Sequence, residues 1–247
     1  MKIIVYGANG RMGKILCEKI EESSEHTIAA RISPSFYTSS IENTYPSINQ
    51  FDGTADVVID FSHHASVKEL LPYCKEHDLP VVIATTAHTK EELALIQETS
   101  LSIPVFRSAN MSVGVALVAA LARKAASAFP DADIEIVERH HNKKLDVPSG
   151  TALLLAESIC EVRPDSRIVI GRHENGQRDP SEIGIHSLRY GSETGTHEII
   201  ISTGSETVTL RHEAENRSLF ALGALSAASY LVRQGPGLYT MKDIVGE

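Results

Sequence analysis

Through the first part of the chain, short apolar runs alternate with stretches of helical periodicity. Residues 2–6 read as a strand, and Ile15, Leu16, Lys19 and Ile20 give residues 14–22 the spacing of a helix. A second strand spans residues 27–32, and residues 34–55, rich in Ser, Thr, Asn and Pro, read as a long surface loop. Strand 56–61 with helix 65–76, strand 80–85 with helix 90–99, and strand 103–106 continue the alternation. Strands separated by helices imply a parallel sheet.

The pattern then changes. An alanine-rich helix over residues 113–129 ends at Pro130-Asp131, a strand follows at 134–137, and a helix at 150–161. Strand 167–170 precedes a polar loop, 171–182, of the kind that closes over a ligand. Strands 183–190, 196–203 and 206–213 are sequence neighbours, the last two joined through Gly204-Ser205. Val208, Leu210 and His212 alternate with Thr207, Thr209 and Arg211, as in an antiparallel or mixed sheet. Two helices are too few to cover both faces of that sheet, so its open face is expected to pair with another subunit. A final helix, 218–232, carries Phe220, Leu222, Leu225, Ala228 and Leu231 and returns to the first domain. The expected fold is α/β: a Rossmann-type domain with a parallel sheet (residues 1–110 and 216–247), and an α+β domain with a mixed, open-faced sheet (residues 111–215). No internal repeat, low-complexity tract or heptad pattern interrupts this plan.

At 247 residues, 42% of them apolar, the chain can bury a core of that size. A formal net charge of −9 and a pI near 5.7 argue against nucleic acid or an anionic membrane as partner, since both require a broad basic face. Cys17, Cys74 and Cys160 are widely spaced and odd in number, which suits reduced thiols in a cytoplasm. The chain enters its first strand without a cationic leader, and no apolar run is long enough to span a bilayer, so a soluble cytoplasmic protein is expected.

Gly7, Ala8, Asn9, Gly10, Arg11, Met12 and Gly13 join the first strand to the first helix. Such a glycine turn lets the backbone approach a pyrophosphate seated on the helix N-terminus. Asn9 stands where the common dinucleotide fingerprint has its second glycine, and Asn tolerates left-handed backbone angles better than most residues. A tight turn holding no ligand would need the same glycines. The second strand ends without the Asp or Glu that NAD-preferring proteins offer to the ribose 2′-hydroxyl. Arg31, Ser33 and Ser35 occupy that region, which suits a 2′-phosphate and favours NADPH while leaving NADH possible. Ligands sit at the carboxyl ends of parallel strands, so Phe61-Ser62, Ala84-Thr85-Thr86 and Ser108-Ala109-Asn110-Met111 are the cofactor-facing loops. The His63-His64 pair lies in one of them and reads as loop filler in a chain holding eleven histidines.

The run ERHHNKKLDVPSGTA, residues 138–152, concentrates Arg139, His140, His141, Lys143 and Lys144 in an acidic protein. A solvated basic loop would look similar, but Ser149, Gly150 and Thr151 open an apolar helix, and free N–H groups at a helix start bind a carboxylate. Cations and a helix N-terminus thus converge on one spot, suited to an anionic ligand. Successive strand residues point to opposite faces, so both histidines, and likewise both lysines, stand as candidates for proton transfer. A metal centre on His140, His141 and Asp146 lacks ligand spacing, and no metal is expected. Ser149 as a hydrolase nucleophile lacks its G-x-S-x-G elbow. An NAD(P)-binding sensor would keep the glycine turn without needing His140 or Lys144. Many other amino-acid dehydrogenases of this plan rely on a cysteine, and none lies in the motif.

This run resembles the signature E-x-H-H-x-x-K-x-D-A-P-S-G-T-A of the dihydrodipicolinate reductase (4-hydroxy-tetrahydrodipicolinate reductase) family of the diaminopimelate route to lysine. The likeness extends through GANGRMG, Asp60-Phe61-Ser62, Thr85-Thr86 and residues 108–114, and so spans essentially the whole chain. Asn9 and Val147 replace small family residues, and Ala84 and Ala87 stand where the family often has glycine. The resemblance implies that His140 is the acid/base residue, Lys144 the proton donor, and His141, Gly150 and Thr151 the substrate's holders, with Lys143 a solvated or carboxylate-steering neighbour. It places Gly7 to Met12, Thr85, Thr86 and Ser108 to Met111 at the nicotinamide cofactor. It further implies that residues 1–110 and 216–247 form a dinucleotide-binding domain and residues 111–215 a substrate-binding and oligomerisation domain, with a homotetramer assembled through the latter's sheet and hydride transfer from NAD(P)H to a cyclic imine or enamine dicarboxylate with loss of water.

Overall fold

The computed structural model describes residues 1–37 and 41–247 and divides into two units, Met1–Ser112 with Ser218–Glu247, and Val113–Arg217. In the first unit, β1 (Lys2–Tyr6), β2 (Thr27–Ile32), β3 (Thr44–Tyr45), β4 (Val57–Asp60), β5 (Val81–Ile83), β6 (Pro104–Arg107) and β12 (Gly237–Tyr239) form one sheet. Every pairing is parallel, in the order β12-β6-β5-β4-β1-β2-β3. Its central strands are apolar on both sides because helices cover both faces. Helices α1 (Arg11–Glu21) and α6 (Ser218–Leu231) pack together, as do α2 (Val67–Glu76) and α3 (Lys90–Ser100). Ile4, Val58, Val81 and Ile83 join Leu70, Leu71 and Ile96 of α2 and α3 in one core. Helix α6 approaches through small residues: a Cβ on Gly223 would lie 1.7 Å from the Met111 carbonyl oxygen.

Several elements depart from the periodicity. Helix α1 begins at Arg11, three residues before the expected start at residue 14, because the glycine turn leads directly into helical backbone. The expected loop 34–55 contains β3, which extends the sheet beside β2, and two short 3₁₀ turns, Pro34–Phe36 and Ile48–Gln50. The Ser33 and Ser47 hydroxyls accept from the Ser35 and Asn49 N–H groups and so satisfy those turns, while Ile48 and Phe51 are buried. Residues 38–40 of that expected loop lie outside the described residues. Strand β12 follows a Gly-Pro-Gly turn too short to show alternation, and helix α7 (Met241–Val245) rests on a capping box between Thr240 and Asp243.

In the second unit, β7 (Asp133–His140), β8 (Arg167–Ile170), β9 (Glu182–Arg189), β10 (Gly195–Ser202) and β11 (Thr207–Ala214) form a mixed sheet in the order β11-β10-β7-β9-β8. The β7–β9 and β8–β9 pairings are parallel, and the β7–β10 and β10–β11 pairings antiparallel. Helices α4 (Val113–Ala128) and α5 (Gly150–Cys160) pack on one face, around Ile134, Ile136, Ile183, Ile185, Ile199 and Ile201. Val137, Leu188 and Ile200 alternate onto the opposite face beside Glu135, Arg139 and Glu198. The Arg163 guanidinium closes the end of α4 by donating to the Ala126, Phe129 and Ala132 carbonyls. Loop 171–181 is fastened to β7 through Arg178, which donates to Asp133 and Glu135.

The first glycine turn leaves no space for side chains. Gly7 has φ +84°, and a Cβ on Gly13 would lie 2.2 Å from the Gly7 carbonyl oxygen. Gly13→Ala is therefore expected to cost about 1–3 kcal/mol in urea unfolding through overpacking. Gly150→Ala, where an added Cβ meets nothing within 4 Å, is expected to stay within about 0.5 kcal/mol of the parent.

Candidate active site

Strand β7 runs on past the apolar residues 134–137 to His140, so the start of the polar motif is strand rather than turn. Ile134, Ile136, Glu138 and His140 are all buried and share the face that carries α4 and α5. The same phase on β10 reads His197, Ile199, Ile201, and Arg189 of β9 lies in register with His140. The helix-covered face is thus apolar at one end and polar at the other.

The Glu138 side chain is 0% exposed, and four donors converge on it. His140 Nδ1 lies 2.5 Å from Oε2, Arg189 donates both terminal nitrogens at 2.8 and 2.6 Å, and the Ser149 backbone N–H donates to Oε1 at 3.1 Å. Burial pushes the Glu138 carboxyl up, but the hydrogen bonds from His140 and Arg189 outweigh it and hold the group far below the usual carboxylate range. A carboxylate only accepts, so His140 carries its proton on Nδ1 and turns Nε2 away from Glu138. Gly195 packs closely against that nitrogen: a Cβ there would lie 2.8 Å from His140 Nε2. Sequence reading separated the two histidines only through the family resemblance. In the structure His140 is buried on the helix-covered face, whereas His141 lies beyond the strand end, its N–H bonded to the Glu193 carbonyl at 2.8 Å.

The motif's second half folds over this carboxylate. Arg189 also donates to the Asp146 carbonyl at 2.8 Å, and Lys144 Nζ meets the Asp146 carboxylate at 2.9 Å. Lys143 is exposed and Lys144 half-buried, which distinguishes two lysines that their spacing left equivalent. Ser149 caps α5 by accepting from the Ala152 N–H at 3.2 Å, and its hydroxyl lies 2.9 Å from His197 Nε2. The His197 ring packs edge-on against His140 with centroids 5.2 Å apart. Gly150 is exposed at the helix start beside Thr151, giving an anion access to the backbone there. Glu138, Arg189, Gly195 and His197 received no role from sequence. Their signal was phase: Glu138 and His197 are polar residues at positions where the alternation demands Ile.

In the first unit the predicted cofactor loops gather at the carboxyl ends of β1, β4, β5 and β6. Gly7 and Ala8 donate to the Ile32 carbonyl, and no side chain caps α1 at Gly10, which leaves its first N–H groups to an anion. A Cβ on Gly7 would come within 2.7 Å of the Ser62 nitrogen, so the turn passes flush against the next loop. These features fit a dinucleotide pyrophosphate. Asn9 donates to the Ser35 hydroxyl at 2.8 Å, and Ser35 meets Ser33 at 2.8 Å. Arg31, expected to stand ready for a 2′-phosphate, instead pairs with Glu21 at the end of α1. Ala87 adopts the left-handed conformation, φ 64°, at a position where the family resemblance has glycine. The Ser108 hydroxyl bonds the Asn110 backbone and fixes the turn through Ala109 to Met111.

Burial holds the His197 ring down to about 3, with the nearby His140 adding to the effect. Between pH 6.5 and 3 the unfolded chain takes up a proton that the folded ring refuses, so this stability is complete above about pH 6.5 and is lost as pH falls. From pH 7 to 5 the effect amounts to about 2 kcal/mol. Urea unfolding of His197→Gln is expected to show a shallower loss of stability over that window by roughly this amount. Parallel pH profiles for variant and parent would refute the assignment.

The chain matches two family models, "Dihydrodipicolinate reductase, N-terminus" over residues 1–111 and "Dihydrodipicolinate reductase, C-terminus" over residues 114–245. The 4-hydroxy-tetrahydrodipicolinate reductase of Caldanaerobacter subterraneus subsp. tengcongensis is 42% identical over 99% of this chain and 98% of that protein. That of Clostridium novyi is 41% identical over 99% of this chain and 98% of its own length. Among solved structures, the dipicolinate-bound dihydrodipicolinate reductase of Paenisporosarcina sp. TG-14 superposes with a TM-score of 0.81 at 24% identity, covering 99% of both chains. With the full length matched on both sides, the chain belongs to the dihydrodipicolinate reductase family.

Proposed function

We propose that this protein reduces 4-hydroxy-tetrahydrodipicolinate to tetrahydrodipicolinate in diaminopimelate and lysine biosynthesis, consuming NAD(P)H and a proton and releasing water. The observation that carries the reading is the buried Glu138 carboxylate that orients His140 beneath the Gly150-Thr151 helix start, with Lys144 in the same motif. A sensor that only binds the cofactor has no use for this assembly.

The dinucleotide, when bound, supplies a hydride to ring C4 of the conjugated substrate. Gly7, Ala8, Asn9, Gly10, Arg11 and Met12 would hold its pyrophosphate, and Ala84, Thr85, Thr86, Ser108, Ala109, Asn110 and Met111 its nicotinamide half. In the second unit, the α5 start at Gly150 and Thr151, with His141, holds the substrate's carboxylates. Lys144 delivers the proton from Nζ, its ammonium oriented by Asp146. His140 Nε2 acts as the acid/base partner, its tautomer fixed by Glu138. The proposal includes NADPH preference, because no acid stands at the end of β2 and a 2′-phosphate can displace Glu21 from Arg31. It also includes a homotetramer through the sheet face bearing Val137, Leu188 and Ile200, and a cytoplasmic location, in keeping with three free thiols.

Purified protein given freshly generated 4-hydroxy-tetrahydrodipicolinate is expected to oxidise NADPH or NADH, and silence with both would sink the reading. Lys144→Ala is expected to lower kcat by about a hundredfold or more with NADPH binding retained. Unchanged turnover would move proton delivery to Lys143 or His140. Arg31→Ala is expected to raise the NADPH Kd about tenfold and to leave the NADH Kd within about twofold. Equal effects on the two cofactors would remove Arg31 from their discrimination.

A further inference from the structure

Asp60 ends β4 with a side chain that is 0% exposed. Its Oδ1 accepts from the Ser62 N–H at 2.8 Å and from the Ser62 hydroxyl at 2.5 Å. Its other oxygen, Oδ2, faces the Thr85 hydroxyl at 3.4 Å, and that hydroxyl lies 3.1 Å from His88 Nε2. Thr85 is itself buried. A threonine hydroxyl has one proton, and the carboxylate can only accept it, so His88 must donate from Nε2. The remaining ring nitrogen, Nδ1, is buried without a hydrogen-bond partner, as the unprotonated nitrogen of a neutral ring can be. Burial lowers the His88 pKa, and the Arg107 cation lowers it further, against the opposing pull of Glu92. Glu92 is committed elsewhere: it accepts from His64 Nδ1 at 2.7 Å and from the Thr89 N–H at 2.9 Å. Ala87, in its left-handed conformation, turns the chain sharply enough to bring His88 back onto Thr85.

We propose that His88 is a positioning residue that, together with Asp60, fixes the Thr85 hydroxyl and its loop for the nicotinamide cofactor. The inference rests on the reading of Thr85 as a cofactor contact. Asp60 accepts the hydroxyl's hydrogen bond and His88 donates to one of its lone pairs, leaving the other lone pair as the one acceptor Thr85 can direct at a ligand. Without His88 the hydroxyl keeps one tether and the loop gains freedom that cofactor binding must then remove. The effect therefore falls on the cofactor and leaves the dicarboxylate untouched.

The test compares Thr85→Val, His88→Phe and His88→Gln, with NADPH dissociation constants from cofactor fluorescence and KM values for both ligands. His88→Phe, which keeps a ring but removes the donor, is expected to raise the NADPH Kd and KM about five- to tenfold, the loss of one hydrogen bond. The KM for the dicarboxylate is expected to move less than about twofold. His88→Gln, whose amide nitrogen can occupy the Nε2 position, is expected to recover most of the NADPH affinity. Matching thermal midpoints for the two His88 variants exclude misfolding as the source of the difference. If Thr85→Val weakens NADPH while His88→Phe does not, the positioning role is overturned and the cofactor contact stands. Equal losses in His88→Phe and His88→Gln also overturn it, because they assign the effect to packing. If Thr85→Val leaves NADPH binding unchanged, both the contact and the inference built on it fall.

Discussion

Glu138 carries its charge where solvent does not reach, and an unpaired carboxylate at such a depth costs several kcal/mol. The second unit is arranged to remove that cost. Arg189 comes from the parallel neighbour β9, His140 from the same face of the same strand, and the Ser149 N–H from the start of α5. Each donor fixes something else in turn. Arg189 holds the Asp146 carbonyl, His140 presents Nε2, and Ser149 caps the helix whose first residues are open to an anion. Removing the carboxylate would leave the Arg189 guanidinium with backbone carbonyls but no counter-charge and the Ser149 N–H without its acceptor, so the charge specifies the arrangement more than it adds stability.

The first unit uses a buried acid differently. Burial raises Asp60 to about 6, even though the Ser62 and Thr85 hydrogen bonds oppose the shift. Among the described residues no cation contacts it, and its donors are the hydroxyl and N–H groups of the loops after β4 and β5. One acid thus meets cationic partners at the substrate end of its sheet, and the other is held by uncharged donors among the loops proposed for the cofactor.

Much of this was legible in the sequence because it depends on short-range pattern. The βαβ alternation and the sequential strands of the second half follow directly from apolar spacing, and the glycine turn from its three glycines. Residues 34–55 were harder to read: β3 is two residues long, and the buried Ile48 and Phe51 sit singly among Ser, Asn and Pro. The polar motif announced its chemistry but not its geometry. Whether His140 or His141 faces inward depends on strand β7 continuing to residue 140, and it continues because Arg189 and Glu138 satisfy each other across the β7–β9 pair. Arg31 shows the opposite limit, since no local pattern reveals that Glu21, at the far end of α1, claims its guanidinium.

The division of the chain has a consequence for how the protein is made. The first unit lacks α6 and the edge strand β12 until residues 218–239 have been synthesised, although α6 buries Ala221, Ala224, Ala227 and Leu231 within that unit. The inserted unit, Val113–Arg217, is contiguous and can close as soon as its last strand leaves the ribosome. The half that begins the polypeptide is therefore the half that finishes last, and until then the seat for α6, shaped to meet small side chains and the backbone at Gly223, stays open to chaperones or to misassembly.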